Sequence, residues 1–387
     1  MWRRVVGQFL RMVMISMAAL FLVACGALPH SPQKSPHTPP TFSPMSIGPV
    51  LQFTTVSPRL VMYHHIPRAL VVDSSLNQLV LYRRGATQWH AQVLMKASLS
   101  QLFGADTLIC QATGCLAAAE LGGTGATDRI VVFFHRSGSR GWTTVWKTTV
   151  PRIAAGATLQ LAADGHDAWL LSTGSPSAGL MPKLLWVSPT NGQTWHLVAT
   201  GNLPAIKAPF TIPQGYPTGI VATAPGQLLL SMSPRGNNST LAIQYTAQPL
   251  AQNPFTFPIS SVLKPFSESL PAIVGSAGVS LPLIDQQGYL AIATSSSGSL
   301  PGSVHQTHVL TDGSPMAVSG SDTAMISNIK TIQLLSPDGR VVTLPILHKF
   351  IKPLVMAIIG PQSVAVMGKH GTLWTNTRTG SWYRFDD

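Results

Sequence analysis

Cys110 and Cys115 are the pair of side chains whose type and spacing most directly offer chemistry. They stand in Leu108-Ile109-Cys110-Gln111-Ala112-Thr113-Gly114-Cys115-Leu116-Ala117, two apolar segments around a Gly-containing turn. Thiols placed this way on a tight hairpin either cross-link in an oxidising compartment or stay reduced and buried. With no His nearby they lack the further donors that a zinc site needs. His305-Gln306-Thr307-His308 offers two imidazoles without a third ligand, and His64-His65 has the same weakness. No metal site and no cofactor is expected. His90 and His196 each follow a Trp, where strand alternation turns them to the opposite face. Only two Glu occur, Glu120 and Glu268, which restricts acid–base constellations. Neither Gly-x-Ser-x-Gly nor a P-loop is present, and Gly122-Gly123-Thr124-Gly125 reads as a flexible loop because no helix follows it. No catalytic residue is assigned.

The elements that must position these groups are strands. Charged residues are only 10% of the chain, while Gly and Pro number 33 and 31. Sparse charge with frequent turns is a β-rich signature. From Leu60 onward an apolar strand, a turn and a second strand recur. Leu79–Tyr82 leads to Trp89, Val131–Phe134 to Trp142, and Leu184–Val187 to Trp195, so the three Trp stand 53 residues apart each time. Weaker copies follow at Leu241–Tyr245, Tyr289–Ala293, Thr331–Leu335 and Thr372–Trp374, making seven hairpins. Further strands precede them, for example Ala168–Ser172, Gln227–Ser231 and Ser363–Met367. About four strands in roughly 40–55 residues is the content of one β-propeller blade. The expected fold class is therefore all-β, a seven-bladed β-propeller, with six or eight blades also compatible. A β-sandwich pair would not need seven similar units. Each Trp should fill the gap between adjacent blades, and a strand near Ile47–Val56 should complete the last blade.

The third hairpin carries a sharper pattern. Ser188-Pro189-Thr190-Asn191-Gly192-Gln193-Thr194-Trp195 resembles the Asp-box, or BNR repeat, of sialidase-like propellers, approximately Ser-x-Asp-x-Gly-x-Thr-Trp. Ser188, Gly192, Thr194 and Trp195 match, and Thr190 replaces the Asp. Ser336-Pro337-Asp338-Gly339 and the turn ending at Trp382 are partial copies. In that family the motif is structural and lies away from the active site. The Arg-Ile-Pro hallmark of sialidases is absent, since Ile66-Pro67-Arg68 has another order. With two Glu in the chain, a Tyr–Glu nucleophile pair is disfavoured.

The N-terminus resembles that of bacterial lipoproteins. Arg3, Arg4 and Arg11 precede an apolar run from Met12 to Ala24, and Leu22-Val23-Ala24-Cys25 has the form of a lipobox. The run is about 20 Å long as a helix, short of a hydrocarbon core of about 30 Å. The resemblance implies export, cleavage before Cys25, lipidation of its thiol and a lipid anchor on the outer, extracytoplasmic face of the cell membrane. The expected organisation is a signal peptide over 1–24, a Pro-rich linker over 25–45 and a propeller domain over 46–387. Pro29, Pro32, Pro36, Pro39, Pro40 and Pro44 make the linker a semi-rigid spacer.

Charge bounds the partners. The chain carries a formal +12, and loss of Arg3, Arg4 and Arg11 leaves +9. A positive domain at an envelope surface attracts anionic lipid or polymer. No basic cluster with interleaved aromatics supports nucleic-acid binding. The expected function is a non-catalytic, monomeric binding or assembly module for a protein or an anionic envelope polymer, held to the membrane through Cys25. The competing expectation is a glycan-acting hydrolase of sialidase-like type. It requires acids such as Asp164, Asp167, Asp285 or Asp322 to converge with Arg on a central channel.

Overall fold

A computed structural model describes residues 59–384 apart from 74, 86–88, 177–179, 191, 234–241, 256–265, 276–277, 286–288, 296–303, 311–315, 319–323, 328–331, 336–340, 345–352, 361–362, 369–372 and 377–381. These residues form seven sheets of consecutive strands. Sheet one comprises β1 (Arg59–Tyr63), β2 (Ile66–Asp73), β3 (Gln78–Arg84) and β4 (Trp89–Lys96). Sheet two comprises β5 (Leu102–Gln111), β6 (Gly114–Gly122), β7 (Thr127–Arg136) and β8 (Thr143–Pro151). A 3₁₀ turn, Arg152–Ala154, leads to sheet three. That sheet holds β9 (Gly156–Ala163), β10 (Ala168–Gly174), β11 (Lys183–Ser188), β12 (His196–Gly201) and the short parallel β13 (Phe210–Thr211). Sheet four holds β14 (Tyr216–Ala224), β15 (Gln227–Ser233), β16 (Ala242–Ala247) and β17 (Leu250–Phe255). Three more sheets occupy 266–310, 316–344 and 353–384.

The second strand of each well-described sheet is apolar on both faces. In β10, Ala168 and Leu170 join one buried cluster, and Trp169 and Leu171 join the next. In β15, Leu228 and Leu230 face sheet three while Leu229 faces sheet five. Successive side chains point to opposite faces, so a strand covered on both sides reads as a continuous apolar run. Fully burying each Leu contributes about 1.5–3 kcal/mol.

The clusters run between successive sheets. Leu70 and Leu81 meet Leu108 and Val131, Ile130 and Val132 meet Leu159 and Leu170, and Leu171 meets Leu228 and Tyr245. Leu229 meets Leu281, Ile292 lies with Val341, and Leu334 meets Val366. Leu60, Ala69 and Val71 of sheet one then meet Ala357, Ala365 and Met367 of the last. The first strands follow the same series: β1 lies beside β5 and beside Pro353–Gly360, β5 beside β9, and β9 beside β14. Antiparallel sheets packed face to face with their first strands adjacent have the architecture of a β-propeller.

The last sheet takes all four strands from Pro353–Gly360, Ser363–Gly368, Leu373–Asn376 and Trp382–Arg384. The expected strand from Ile47–Val56 is not among these four. Residues 47–56 lie outside the described residues, as do Cys25 and the linker.

Candidate functional site

A cavity opens between sheets two and three and is built around a carboxyl. Glu120 belongs to β6, in the apolar run Ala117-Ala118-Ala119-Glu120-Leu121, and is only 1% exposed. The pairing of β5 with β6 shifts between Phe103 and Asp106, which sets Gly104 against its carboxylate. A methyl group on Gly104 would stand 2.7 Å from Glu120 Oε1, so any larger residue there would displace the carboxylate from this position. The Gly156 N–H donates to Glu120 Oε2 at 2.9 Å. Burial pushes the carboxyl up to about 7; the nearby Asp128 adds to this and the Gly156 N–H opposes it. Asp128, also buried, holds Arg152 Nε at 3.4 Å from its Oδ1. Arg152 is fixed in turn by its N–H, which donates to the Ala126 carbonyl at 2.9 Å.

Above these groups lies a cavity of about 760 Å³. Its lining comes from the segments that precede first strands and from those that join second to third strands. In an up-and-down sheet these share one end. Gly122, Gly123 and Thr124 of the β6–β7 loop contribute, as do Pro182 and Asn202. Leu102, Ile153 and Leu180 also line it and are 71%, 63% and 43% exposed. Three of the large apolar side chains left in solvent are therefore gathered at one opening, with fully exposed Leu99 just upstream of lining residue Ser100. A carboxyl titrating near neutrality can donate a hydrogen bond when protonated or accept from a cation when ionised.

Other buried charges lie outside the cavity, Asp106 and Lys183 among them. Asp106 on β5 is pushed up to about 6 by burial, against the pull of Arg59, whose Nε lies 3.6 Å from Oδ1. Lys183 on β11 is pushed down to about 8 by burial, and its Nζ donates to the Pro213 carbonyl at 2.9 Å.

The residues singled out from sequence fall elsewhere. Ser188, Gly192, Thr194 and Trp195 come together in the β11–β12 turn. Gly192 N–H donates to Ser188 Oγ at 2.8 Å, Trp195 Nε1 donates to the Gly192 carbonyl at 2.9 Å, and Gly192 has φ +93°. Thr190 Oγ1 accepts from Thr194 N–H at 2.8 Å, standing in for the motif's missing Asp. Trp195 packs into the cluster between sheets two and three, Trp142 into that between one and two, and Trp89 into that between seven and one. Cys110 and Cys115 face each other at the β5–β6 turn and form a disulfide, at the end remote from the cavity. His64 and His65 are exposed turn residues, His90 and His196 are exposed, and His305 and His308 lie on Val304–Leu310.

The aspartates required by the hydrolase expectation are not assembled with Arg among the described residues. Asp164 Oδ1 accepts from the His166 and Asp167 N–H groups within the β9–β10 turn, and Oδ2 accepts from Gly226 N–H in the β14–β15 turn. Asp167 pairs with His166 instead. Asp285 ends the strand Gly278–Asp285, and Asp322 lies outside the described residues, as does Ser336–Gly339. Gly104, Glu120, Asp128 and Arg152 went unread as a site. One signal was available, a lone Glu inside an apolar strand.

Fold and cavity together define a β-propeller with a carboxyl-floored cleft between two of its sheets. No protein-family model matches the sequence, and no curated protein sequence does. Among solved structures, the chain is similar to a streptogramin B lyase at 11% identity, over 86% of this chain and 96% of that one, with a TM-score of 0.49. It is similar to YCF48 bound to D1 peptide at 10% identity, over 86% and 96%, with a TM-score of 0.48. It is also similar to the six-bladed fucose-binding lectin of Aleuria aurantia at 14% identity, over 82% and 89%, with a TM-score of 0.38.

Proposed function

We propose that the protein is a lipid-anchored, extracytoplasmic, seven-bladed propeller that binds a protein segment in the cleft between its second and third sheets. The observation that carries this reading is the exposed apolar rim of Leu102, Ile153 and Leu180 above buried Glu120. An apolar rim with a polar floor suits an extended peptide that lays apolar side chains on the opening and presents a donor to the carboxyl. An anionic polymer fits less well, because the floor holds two acids, Glu120 and Asp128, and among the described residues Arg152 is the one cation lining the cavity. The Leu22–Cys25 pattern and the Pro-rich stretch behind it support the anchor and tether. Seven sheets and seven inter-sheet clusters support the blade count.

A photo-reactive residue at Leu102, in native membranes, should give a cross-linked protein adduct of discrete mass. The adduct should be lost when Ile153 and Leu180 are changed to Asp, and absent when the probe sits at exposed Leu250 on another sheet. Equal labelling at Leu102 and Leu250 would overturn the reading. Fatty-acid labelling should be abolished by Cys25→Ala, and a mutant that still labels removes the anchor. The hydrolase alternative rests on Glu120, whose carboxyl at about 7 could serve as a general acid. Under that alternative Glu120→Gln abolishes glycan turnover, whereas under the binding reading no turnover exists to lose.

A further inference from the structure

We infer that the Cys110–Cys115 disulfide is a thiol–disulfide exchange site, in which an external thiolate attacks Cys110, Cys115 leaves as a thiolate, and Arg68 is its counter-ion. The two sulfurs are unequal. Cys115 is 0% exposed, whereas Cys110 is only partly buried, so an incoming thiolate reaches Cys110 first. The leaving sulfur lies beside a cation, since Arg68 Nη1 contacts Cys115 Sγ at 3.5 Å.

Arg68 is the unusual member of this group. It is buried on β2, and no carboxylate pairs with it among the described residues. Its guanidinium carbon lies 4.4 Å from the centre of the Tyr63 ring, and its Nε has no hydrogen-bond partner. The titratable and charged neighbours are Tyr63 on β1, Arg83 across the β2–β3 pair, and His135 across the β6–β7 pair from Cys115. None is a carboxylate. A buried guanidinium without an anion is costly, and a thiolate at Cys115 would supply that anion.

The step balances. The external thiolate forms a bond to Cys110 Sγ as the Cys110–Cys115 bond breaks, and the electron pair leaves on Cys115 Sγ beside Arg68. A second thiolate of the donor then displaces Cys110 from the mixed disulfide. The donor, a dithiol, is oxidised to its disulfide, and the protein gains two electrons and ends as a dithiol. The chemical class of partner is thus a dithiol reductant, and dithiothreitol serves as the probe.

Full-length variants in which Cys25 is also changed to Ser, so that one cysteine remains, test the assignment. Cys115→Ser should leave a Cys110 thiol that forms a mixed disulfide with an aromatic disulfide reagent at least about tenfold faster than the Cys115 thiol left by Cys110→Ser. Arg68→Gln should slow reduction of the native disulfide by dithiothreitol about tenfold and move the Cys115 thiolate titration to higher pH, and Arg68→Lys should restore much of both. A disulfide reduced only in denaturant, equal labelling of the two single-cysteine variants, or an unchanged thiolate titration in a folded Arg68→Gln protein would each overturn the inference. The single-cysteine comparison still decides if Arg68→Gln does not fold.

Discussion

Glu120 makes the stability of this protein depend on pH in the direction opposite to an ordinary surface carboxylate. Its carboxyl titrates at about 7 in the folded chain against 4.5 as the ordinary value. Between these values the folded state holds a proton that the unfolded state has lost. Stability from this group is therefore complete below pH 4.5, falls as pH rises toward 7, and is level above. The difference corresponds to about 3 kcal/mol for a side chain this deeply buried. Glu120→Gln replaces the protonated acid by a neutral isostere, so it should be close to neutral at pH 4.5 and stabilising by about 3 kcal/mol at pH 8. Urea unfolding of both proteins at the two pH values measures this. Taking the difference cancels other titrating groups, including Asp106, which is also raised by burial, and His135, which burial lowers. A pH-independent difference would show that the carboxyl is not desolvated as described. The same proton makes the cleft a better hydrogen-bond donor in acid and a better cation acceptor above neutrality.

At the scale of elements, the β11–β12 hairpin shows how a short motif acts. Ser188 and Thr190 satisfy backbone N–H groups of the turn, and Trp195 carries its ring from that turn into the cluster shared with sheet two. Ser188→Ala leaves the buried Gly192 N–H without its acceptor and should cost about 1–3 kcal/mol, seen as a lower urea midpoint with unchanged slope. The third and fourth strands of sheets one to three were legible in the sequence because their turn residues and closing Trp are local. The second strands were legible because burial on both faces makes them apolar throughout. The first strands were harder: β5 spells Leu102-Phe103-Gly104-Ala105-Asp106, and its irregular pairing with β6 leaves no clean alternation. The cleft depends on that irregularity. Its carboxyl, its glycine and its arginine are supplied by β6, β5 and the 3₁₀ turn. No contiguous motif could announce a site assembled by pairings between strands and by packing between sheets. The Ser188–Trp195 turn, in contrast, was legible in eight contiguous residues, and its hydrogen bonds are local to the hairpin.

At the scale of the whole molecule, the informative contact is between the first described sheet and the last. An open stack of sheets leaves an apolar face uncovered at each end, which requires polar caps. Here Leu60, Ala69 and Val71 lie against Ala357, Ala365 and Met367, nearly 300 positions away in the sequence, so that among the described residues the first and last sheets cover one another. The two arrangements respond differently to loss of one sheet. Removing residues 59–102 from an open stack exposes one new face and leaves the remaining sheets to melt much as before. Removing them from a ring exposes the apolar faces of both sheet two and the last sheet, with no segment left to bridge them. The deletion should therefore abolish the cooperative thermal transition of the entire domain rather than subtract one module from it. A smaller change reports on the same contact. Met367→Ala, at a fully buried position, should destabilise by about 2–5 kcal/mol. In a ring it should also quicken amide exchange in β2, because Val71 and Met367 share one cluster. Exchange quickened only around Ser363–Gly368, together with an undisturbed melting transition after the deletion, would mean that the first and last sheets do not support one another.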